Sequence, residues 1–228
     1  MSTVFQYGQT VRANQFAGYT TASQRTHRET STTSDTIPFS STERSIHRLQ
    51  MEQLFSALTS RIFAIDRFVA EIVAELREPL ITKMMTSVTG LGSAAAALVF
   101  LGLFYLAGWD DELDVAVPAL VLTGVVVGVL MLTVQRAFPP HSVCLRAGSE
   151  AATTSFPSGH AASVTVFVLT ARRSDVLLSL PVAAVAVLVA VSRIYLGTHY
   201  LSDTIAGVLI GVGAFLVARR LAHSIRPS

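Results

Sequence analysis

Two long stretches without a charged residue constrain this chain more than any other feature of its sequence. Residues 84–109 form an uncharged, apolar stretch of 26 residues, and residues 115–135 form a second one of 21. A helix needs about 20 such residues to cross the hydrocarbon layer of a bilayer. The whole chain is only 14% charged, whereas soluble domains usually carry roughly 25% charged residues. Both stretches therefore predict transmembrane helices.

Three shorter apolar stretches follow them. Residues 176–192 and 204–218 are uncharged over 17 and 15 residues, and residues 161–171 become a further crossing if a helix begins near Ser158. The sequence thus predicts an all-α integral membrane bundle of about five transmembrane helices plus an N-terminal amphipathic helix. Two glycine pairs with the spacing of one helical turn suit close packing between such helices; they are Gly124 with Gly128 and Gly207 with Gly211.

The N-terminal third of the chain differs from this membrane domain. Residues 1–43 contain sixteen Ser and Thr and too few apolar side chains to build a core, which predicts a disordered tail. Over residues 44–79 apolar side chains recur at steps of three and four, which predicts a helix that Pro79 ends. Its charges make it too polar to span the bilayer, so we expect it to lie in the interface or to dock on the membrane domain. A dimeric coiled coil is the alternative.

The ionisable groups of the membrane domain concentrate in two loops. The loops that follow the second and the fourth predicted span emerge on the same side of the membrane. One ends in Pro157-Ser158-Gly159-His160, directly before a helix, and the other carries Ser192-Arg193 and then His199 and Asp203. His199 and Asp203 are four residues apart, so we expect them to share a helix face and to form a hydrogen bond. That bond would leave the second imidazole nitrogen free as a nucleophile or base.

The other groups in these loops suit an anionic substrate. The guanidinium of Arg193 matches a phosphoryl group bidentately. Ser158 and Gly159 stand where a helix begins, and free N–H groups and the helix dipole favour an anion there. His160 is placed to protonate a leaving oxygen as a general acid. A neutral His199 together with a protonated His160 predicts a bell-shaped dependence of the rate on pH.

These residues resemble the type 2 phosphatidic acid phosphatase superfamily, which comprises membrane lipid phosphatases related to vanadium-dependent haloperoxidases. Pro157 to His160 match its second motif, and Ser192-Arg193 through His199 to Asp203 match its third. The resemblance implies an all-helical membrane bundle, a phosphohistidine on His199 and His160 as the general acid. It also implies that Asp203 is the partner of His199, that Arg193 binds the phosphate and that no metal or other cofactor takes part.

The first motif of that superfamily departs from its usual form in this chain. The family has a Lys and, after six further residues, Arg-Pro, which together supply two cations to the phosphate. Here Arg136 stands at the Lys position, but Val143 occupies the later one and Arg146 precedes Ala147. Arg136 is therefore the predicted additional phosphate ligand, with Arg146 as the alternative.

The sequence predicts that residues 80–228 form a metal-independent phosphatase domain in the cell membrane. Its substrate is a lipid phosphate monoester or an isoprenoid diphosphate. The alternatives are a non-catalytic lipid-binding or assembly protein with a decayed first motif, a transporter, and a vanadate-dependent oxidase. The net charge of +2 without a basic run excludes nucleic acid as a partner. The acidic residues of 110–114 are interpreted as a solvated turn on the face opposite His160 and His199.

Overall fold

The computed structural model describes residues 41–143 and 154–225, and these residues are helical with short connections and no strand. The described residues from His47 onwards form one compact unit, to which all contacts discussed below belong. The predicted tail lies outside the described residues except for its last three positions, which begin the first helix. The helices are α1 (Ser41–Glu75), α2 (Pro79–Thr89), α3 (Ala94–Leu106), α4 (Asp110–Thr133), α5 (Gly159–Ala171), α6 (Ser179–Tyr195) and α7 (Leu201–Ile225).

Two of these helices, α4 and α7, are long and apolar enough to cross a membrane on their own. The predicted continuous helix over residues 84–109 is wrong, because α2 and α3 are separated by a 3₁₀ turn (Gly90–Gly92) and bend by 57°. The hydroxyl of Ser93 accepts the N–H of Ala96 at 3.1 Å and so starts α3 afresh. If α2 and α3 are counted together as one broken span, they are also long and apolar enough to cross a membrane. Helices α5 and α6 are apolar but shorter.

Two further boundaries differ from the prediction. Pro79 does not end α1, which stops at Glu75; it is the first residue of α2, where its missing N–H costs nothing. The predicted acidic turn is instead the first turn of α4, where the helix dipole favours carboxylates. Glu112 in that turn accepts the hydroxyl of Ser174 at 2.5 Å, just beyond the end of α5. The acidic residues therefore lie at the end of α5 opposite to His160, as predicted.

The bundle is densest where α5 packs on α7. A Cβ atom on Gly207 would lie 2.3 Å from the carbonyl oxygen of Ser158, and one on Gly211 would lie 2.4 Å from that of Ala162. Neither glycine tolerates a side chain there, which confirms the predicted close packing for this pair. The pair Gly124 and Gly128 has open space around it, so the same prediction is wrong for α4.

The exposure pattern is that of a membrane protein. Many large apolar side chains point outward, whereas Asp203, Ser155 and Ser192 are completely buried. In helix α1, too, apolar side chains are exposed while an acidic one is buried: Phe55 is 74% exposed and Asp66 only 2%. The apolar positions from which α1 was predicted are largely exposed too; they include Leu49, Leu54, Leu58, Ile62, Ile65 and Leu76. An interfacial location of α1 stays a prediction.

Candidate active site

The first predicted site segment lies at the beginning of α5. Ser158 is buried, and its hydroxyl accepts the N–H of Ala161 at 3.4 Å, as an N-cap residue does. The N–H of Ser158 donates to the carbonyl oxygen of Asp203 at 3.1 Å. Ser158 therefore ties α5 to α7. Within the described residues, the N–H groups of Gly159 and His160 carry no hydrogen bond, so they are the ones available to an anion at this helix end.

The two residues after Ser158 face different surroundings. A Cβ atom on Gly159 would lie 3.5 Å from Val127, an ordinary contact, so packing alone does not require glycine there. That it makes room for a ligand stays a prediction. His160 lies against the 3₁₀ turn, because a Cβ atom on Gly92 would come within 3.1 Å of its ring. The hydroxyl of Ser163 donates to the carbonyl oxygen of Gly92 at 2.8 Å, which holds the start of α5 to that turn.

The loop between α6 and α7 fixes His199 relative to Arg193. Its backbone turns at Gly197, whose φ of 67° lies in the left-handed region that glycine adopts readily. The carbonyl oxygen of Arg193 then accepts the N–H of Thr198 at 3.1 Å and that of His199 at 3.2 Å. The arginine and the histidine are thus joined by the backbone of one tight turn.

A carbonyl group orients the imidazole of His199. Nδ1 of His199 lies 2.5 Å from the carbonyl oxygen of Ser155. Because a carbonyl oxygen only accepts, Nδ1 carries the proton and Nε2 keeps its lone pair. The pKa of His199 is lowered from 6.5 to about 3, first by burial and then by the positive charge of Arg193, with a smaller effect of His160. The ring is therefore neutral and nucleophilic at physiological pH.

Arg193 lies in the last turn of α6 and reaches towards α2. Its Nη1 atom donates to the hydroxyl of Thr89 at 2.9 Å. Its charge acts on His199, as the lowered pKa of that residue shows. The cation is therefore close to the imidazole, where a bound phosphoryl group would face both.

The predicted hydrogen bond between His199 and Asp203 is not formed. His199 precedes α7 rather than belonging to it, so the spacing of four residues does not place the two side chains on one helix face. Asp203 lies in the first turn of α7, and its Oδ2 accepts the N–H of Tyr200 at 2.9 Å. The Ser155 carbonyl, and not the carboxylate of Asp203, orients the imidazole of His199 in this structure. Asp203 instead stabilises the backbone next to His199.

The guanidinium of Arg136 is engaged by side chains of α1 and α7. Its guanidinium donates to Asp203 Oδ1 and, at 2.6 Å, to Asp66 Oδ2. It also donates to the hydroxyl of Ser202 at 2.7 Å and lies 4.2 Å from the ring centre of Tyr200. A phosphate would have to compete with two carboxylates for this cation, and phosphate binding by Arg136 stays a prediction. The alternative cation, Arg146, lies outside the described residues.

The two predicted motifs do meet on one side of the bundle. The bonds from His199 to Ser155 and from Ser158 to Asp203 join them directly. Arg193 is joined to His199 by backbone bonds, and both Arg193 and His160 lower the pKa of His199. The candidate nucleophile, the candidate acid and a cation thus lie on one side of the bundle beside a helix N-terminus.

Comparison with known proteins places this arrangement in a family. The sequence profile described as the PAP2 superfamily matches residues 113–226, which cover both motifs and α4 to α7. The chain belongs to the PAP2 superfamily. It is 25% identical to phosphatidylglycerophosphatase B of Bacillus subtilis (strain 168), over 74% of this chain and 88% of that protein.

Two crystal structures share the fold of this PAP2 chain. One is a transmembrane PAP2-type phosphatidylglycerolphosphate phosphatase from Bacillus subtilis, with a TM-score of 0.61 and 22% identity over 78% of this chain and 96% of that one. The other is LpxE of Aquifex aeolicus, with a TM-score of 0.58 and 20% identity over 68% and 95%. The predicted family, the all-helical membrane fold and the enzyme class of lipid phosphatases are thereby confirmed.

Several residues of this PAP2 site escaped the sequence analysis. Thr89 and Ser155 act through a hydroxyl and a backbone carbonyl, and no spacing rule points to such groups. Asp66 did leave a signal, because it follows Ile62 by four residues and precedes Val69 by three and so interrupts an apolar helical pattern. An acidic residue at such a position indicates a buried partner, here Arg136.

Proposed function

We propose that this protein hydrolyses a lipid phosphate monoester or an isoprenoid diphosphate, without a metal ion, through a phosphohistidine on His199. The observation that supports this most directly is the bond between Nδ1 of His199 and the Ser155 carbonyl. It fixes the tautomer whose free Nε2 would be the nucleophile, and burial, followed by the charge of Arg193, lowers the pKa of His199 so that this nitrogen stays unprotonated.

In the proposed reaction the phosphoryl group binds between Arg193 and the N–H groups at the start of α5. Nε2 of His199 attacks the phosphorus atom in line, and the bond from phosphorus to the lipid oxygen breaks. Burial and then the charge of Arg193 lower the pKa of His160 to about 4 in the substrate-free protein. His160 therefore takes up a proton as the phosphate anion binds and offsets Arg193, and it donates that proton to the leaving oxygen. A water molecule, deprotonated by His160, then attacks the phosphohistidine, which releases inorganic phosphate and restores both histidines.

The surroundings of the site fit a substrate with a lipid tail. An apolar cleft of about 310 Å³ opens between α3, α5 and α6. Leu91 in its wall directly precedes Gly92, which packs against His160. We propose that the tail occupies this cleft while the phosphate reaches the histidines, and that the cell membrane delivers the substrate by lateral diffusion. The relative named phosphatidylglycerophosphatase B makes phosphatidylglycerophosphate one member of the substrate class to be tested.

The test is phosphate release by the purified full-length chain from phosphatidate, phosphatidylglycerophosphate and a polyprenyl diphosphate. We expect His199→Ala to lower the rate on the preferred lipid by at least about 10³-fold, as loss of a nucleophile does. His160→Ala should slow it as well, whereas His223→Ala, at an exposed position near the far end of α7, is the matched control. Vanadate should inhibit and EDTA should not.

The engagement of Arg136 by two carboxylates favours one competing function, a non-catalytic lipid-binding protein with a decayed first motif. The same assay separates the two. Absence of phosphate release from every lipid, or release that persists in His199→Ala, would reject the proposed phosphatase. Loss of release on addition of EDTA would reject only its metal-independent mechanism.

A further inference from the structure

We infer that Asp66 on helix α1 is a positioning residue for the reaction on His199. This inference rests on the proposed phosphatase function. Asp66 lies outside residues 113–226, the part of the chain that matches the family profile. It is nevertheless bonded to Ser202 in the first turn of α7, three residues after His199. Helix α1 would then be part of the active-site framework and not only a membrane anchor.

Both carboxylate oxygens of Asp66 are used. Oδ1 accepts the backbone N–H of Ser202 at 2.9 Å. Oδ2 accepts the hydroxyl of Ser202 at 2.5 Å and the guanidinium of Arg136 at 2.6 Å. The N–H of Ser202 belongs to the first turn of α7, where helices lack internal acceptors. A carboxylate from a different helix therefore caps α7, and the positive end of its dipole favours that charge.

From Asp66 a continuous path leads to the nucleophile. Arg136 donates to Asp66 and to Asp203, and Asp203 accepts the N–H of Tyr200. Tyr200 directly follows His199, whose ring must stay within reach of the Ser155 carbonyl. The loop around His199 is therefore held at its Arg193 side by backbone bonds and at its α7 side by this ionic network.

The remainder of α1 does not explain why a charge is buried there. Among residues 46–75, the least exposed side chains are those of Asp66 at 2% and Ala70 at 9%. The large apolar residues of the helix, such as Phe55 and Phe68, remain mostly exposed. Buried ion pairs are often no more stabilising than apolar contacts of the same volume. Stability alone therefore does not require charges at this position, whereas a network that fixes the start of α7 is well suited to hold a reactive loop in one geometry.

The experiment compares Asp66→Asn, Asp66→Glu and the matched control Glu71→Gln, an exposed acidic residue of the same helix, in the full-length protein. The substrate is dioctanoyl phosphatidylglycerophosphate, and kcat, KM and the melting temperature are measured together. For Asp66→Asn we expect kcat to fall by about 10- to 100-fold, since a displacement of about 1 Å at a reacting group costs on the order of 10²-fold. KM should change little, and Glu71→Gln should behave like the unchanged protein. Asp66→Glu keeps the charge and should recover part of the loss.

A second measurement separates positioning from a general loss of structure. Asp66→Leu replaces the carboxylate by an apolar side chain of similar size, and Arg136 is not left as an unpaired buried charge because it keeps its bond to Asp203. If Asp66→Asn does not fold, kcat of folded Asp66→Leu decides. The pair Asp66→Asn and Arg136→Lys should be non-additive in kcat, because both changes interrupt the same path.

The outcomes distinguish this inference from the proposed function. A folded Asp66 variant with unchanged kcat, or a loss of activity that only follows the fraction of unfolded protein, overturns the positioning role and leaves the phosphatase in place. Additive effects of the Asp66 and Arg136 changes overturn it as well. If the unchanged protein releases no phosphate from any lipid of the panel, the proposed function fails and the inference fails with it.

Discussion

Two regions of the protein each bring an arginine to the same end of the bundle, and the two arginines have different partners. At the end of α6, Arg193 donates to the neutral hydroxyl of Thr89 and its charge lowers the pKa of His199. In the segment after α4, Arg136 binds the carboxylates of Asp66 and Asp203. The first cation exerts its charge on the nucleophile. The charge of the second is neutralised within a buried network.

The difference teaches that a cation near an active site need not bind the substrate. A phosphate that recruited Arg136 would have to compete with two carboxylates, one 2% exposed and the other completely buried. Removing a partner from such a buried pair leaves an uncompensated charge, which is costly. We therefore propose that the region of Arg193 binds the phosphate and that the region of Arg136 supports the structure. Four experiments test this division of roles.

The largest expected effect is on stability. Arg136→Met removes the cation shared by Asp66 and Asp203, and breaking a buried ion pair from one side costs about 3–5 kcal/mol of the free energy of unfolding. The measurement is denaturant unfolding in detergent, followed by circular dichroism. The matched control is Arg67→Met on the exposed side of α1, for which we expect a change within about 0.5 kcal/mol. Unchanged stability of Arg136→Met would show that the network does not support the fold.

The next effect is on catalysis. Arg193→Met should lower kcat/KM on the preferred lipid by about 10²–10³-fold, the usual loss when a charge-stabilising donor is removed from an active site. Arg193→Lys keeps the charge without the planar fork and should recover only part of this loss. The measurement is phosphate release under the conditions used for Arg136→Met.

The opposite pattern of results would assign phosphate binding to the region of Arg136 and not to that of Arg193. A loss in kcat/KM for folded, stable Arg136→Met that equals the loss for Arg193→Met would mean that Arg136 binds the phosphate after all. The Arg193 assignment would be contradicted if Arg193→Met retained near-normal kcat/KM.

How far the sequence predicted these regions depends on the kind of interaction. Hydropathy predicted α4 and α7, and the glycine spacing predicted the close contact at Gly207 and Gly211, because both effects are local and periodic. The break near Ser93 was missed because a membrane-spanning helix can also contain residues such as Gly90, Gly92 and Ser93, so the composition of this stretch does not reveal the break. Only the tertiary contact of Gly92 with Val189 and His160 shows why the chain bends there.

The motifs predicted that their two segments meet, but they did not predict the bonds between them. The spacing of His199 and Asp203 suggested a helical pair, yet α7 begins after His199. A backbone carbonyl, that of Ser155, orients the imidazole instead. The role of Arg136 depended on Asp66, which precedes it by 70 residues. Partners so far apart in the chain follow from the fold and not from a local pattern.

The smallest effect, and the most specific one, is on the pH dependence. The pKa of His199 is lowered to about 3 by burial and by Arg193, so in the unchanged protein protonation of the nucleophile limits kcat/KM only well below neutral pH. Arg193→Met removes one of these two causes. The pKa of His199 should then rise towards its ordinary value, and the acidic limb of the profile should move to higher pH. Arg136 is not among the causes of this shift, so Arg136→Met should leave the limb in place.

The lowered pKa of His199 also makes the free energy of unfolding depend on pH. A salt-bridged histidine has a raised pKa and loses its stabilising effect as the pH rises, whereas the effect of His199 is lost as the pH falls. Because the folded pKa lies below the unfolded one, the unfolded chain binds more protons between about pH 3 and 6.5. The stabilisation that neutral His199 provides is thus present above that window and lost as the pH falls through it. Unfolding measured from neutral pH down to about pH 4 should show a shallower loss of stability for Arg193→Met than for the unchanged protein. Equal slopes, together with an unmoved acidic limb of kcat/KM, would mean that the charge of Arg193 does not reach His199, and the contrast between the two arginines would be lost.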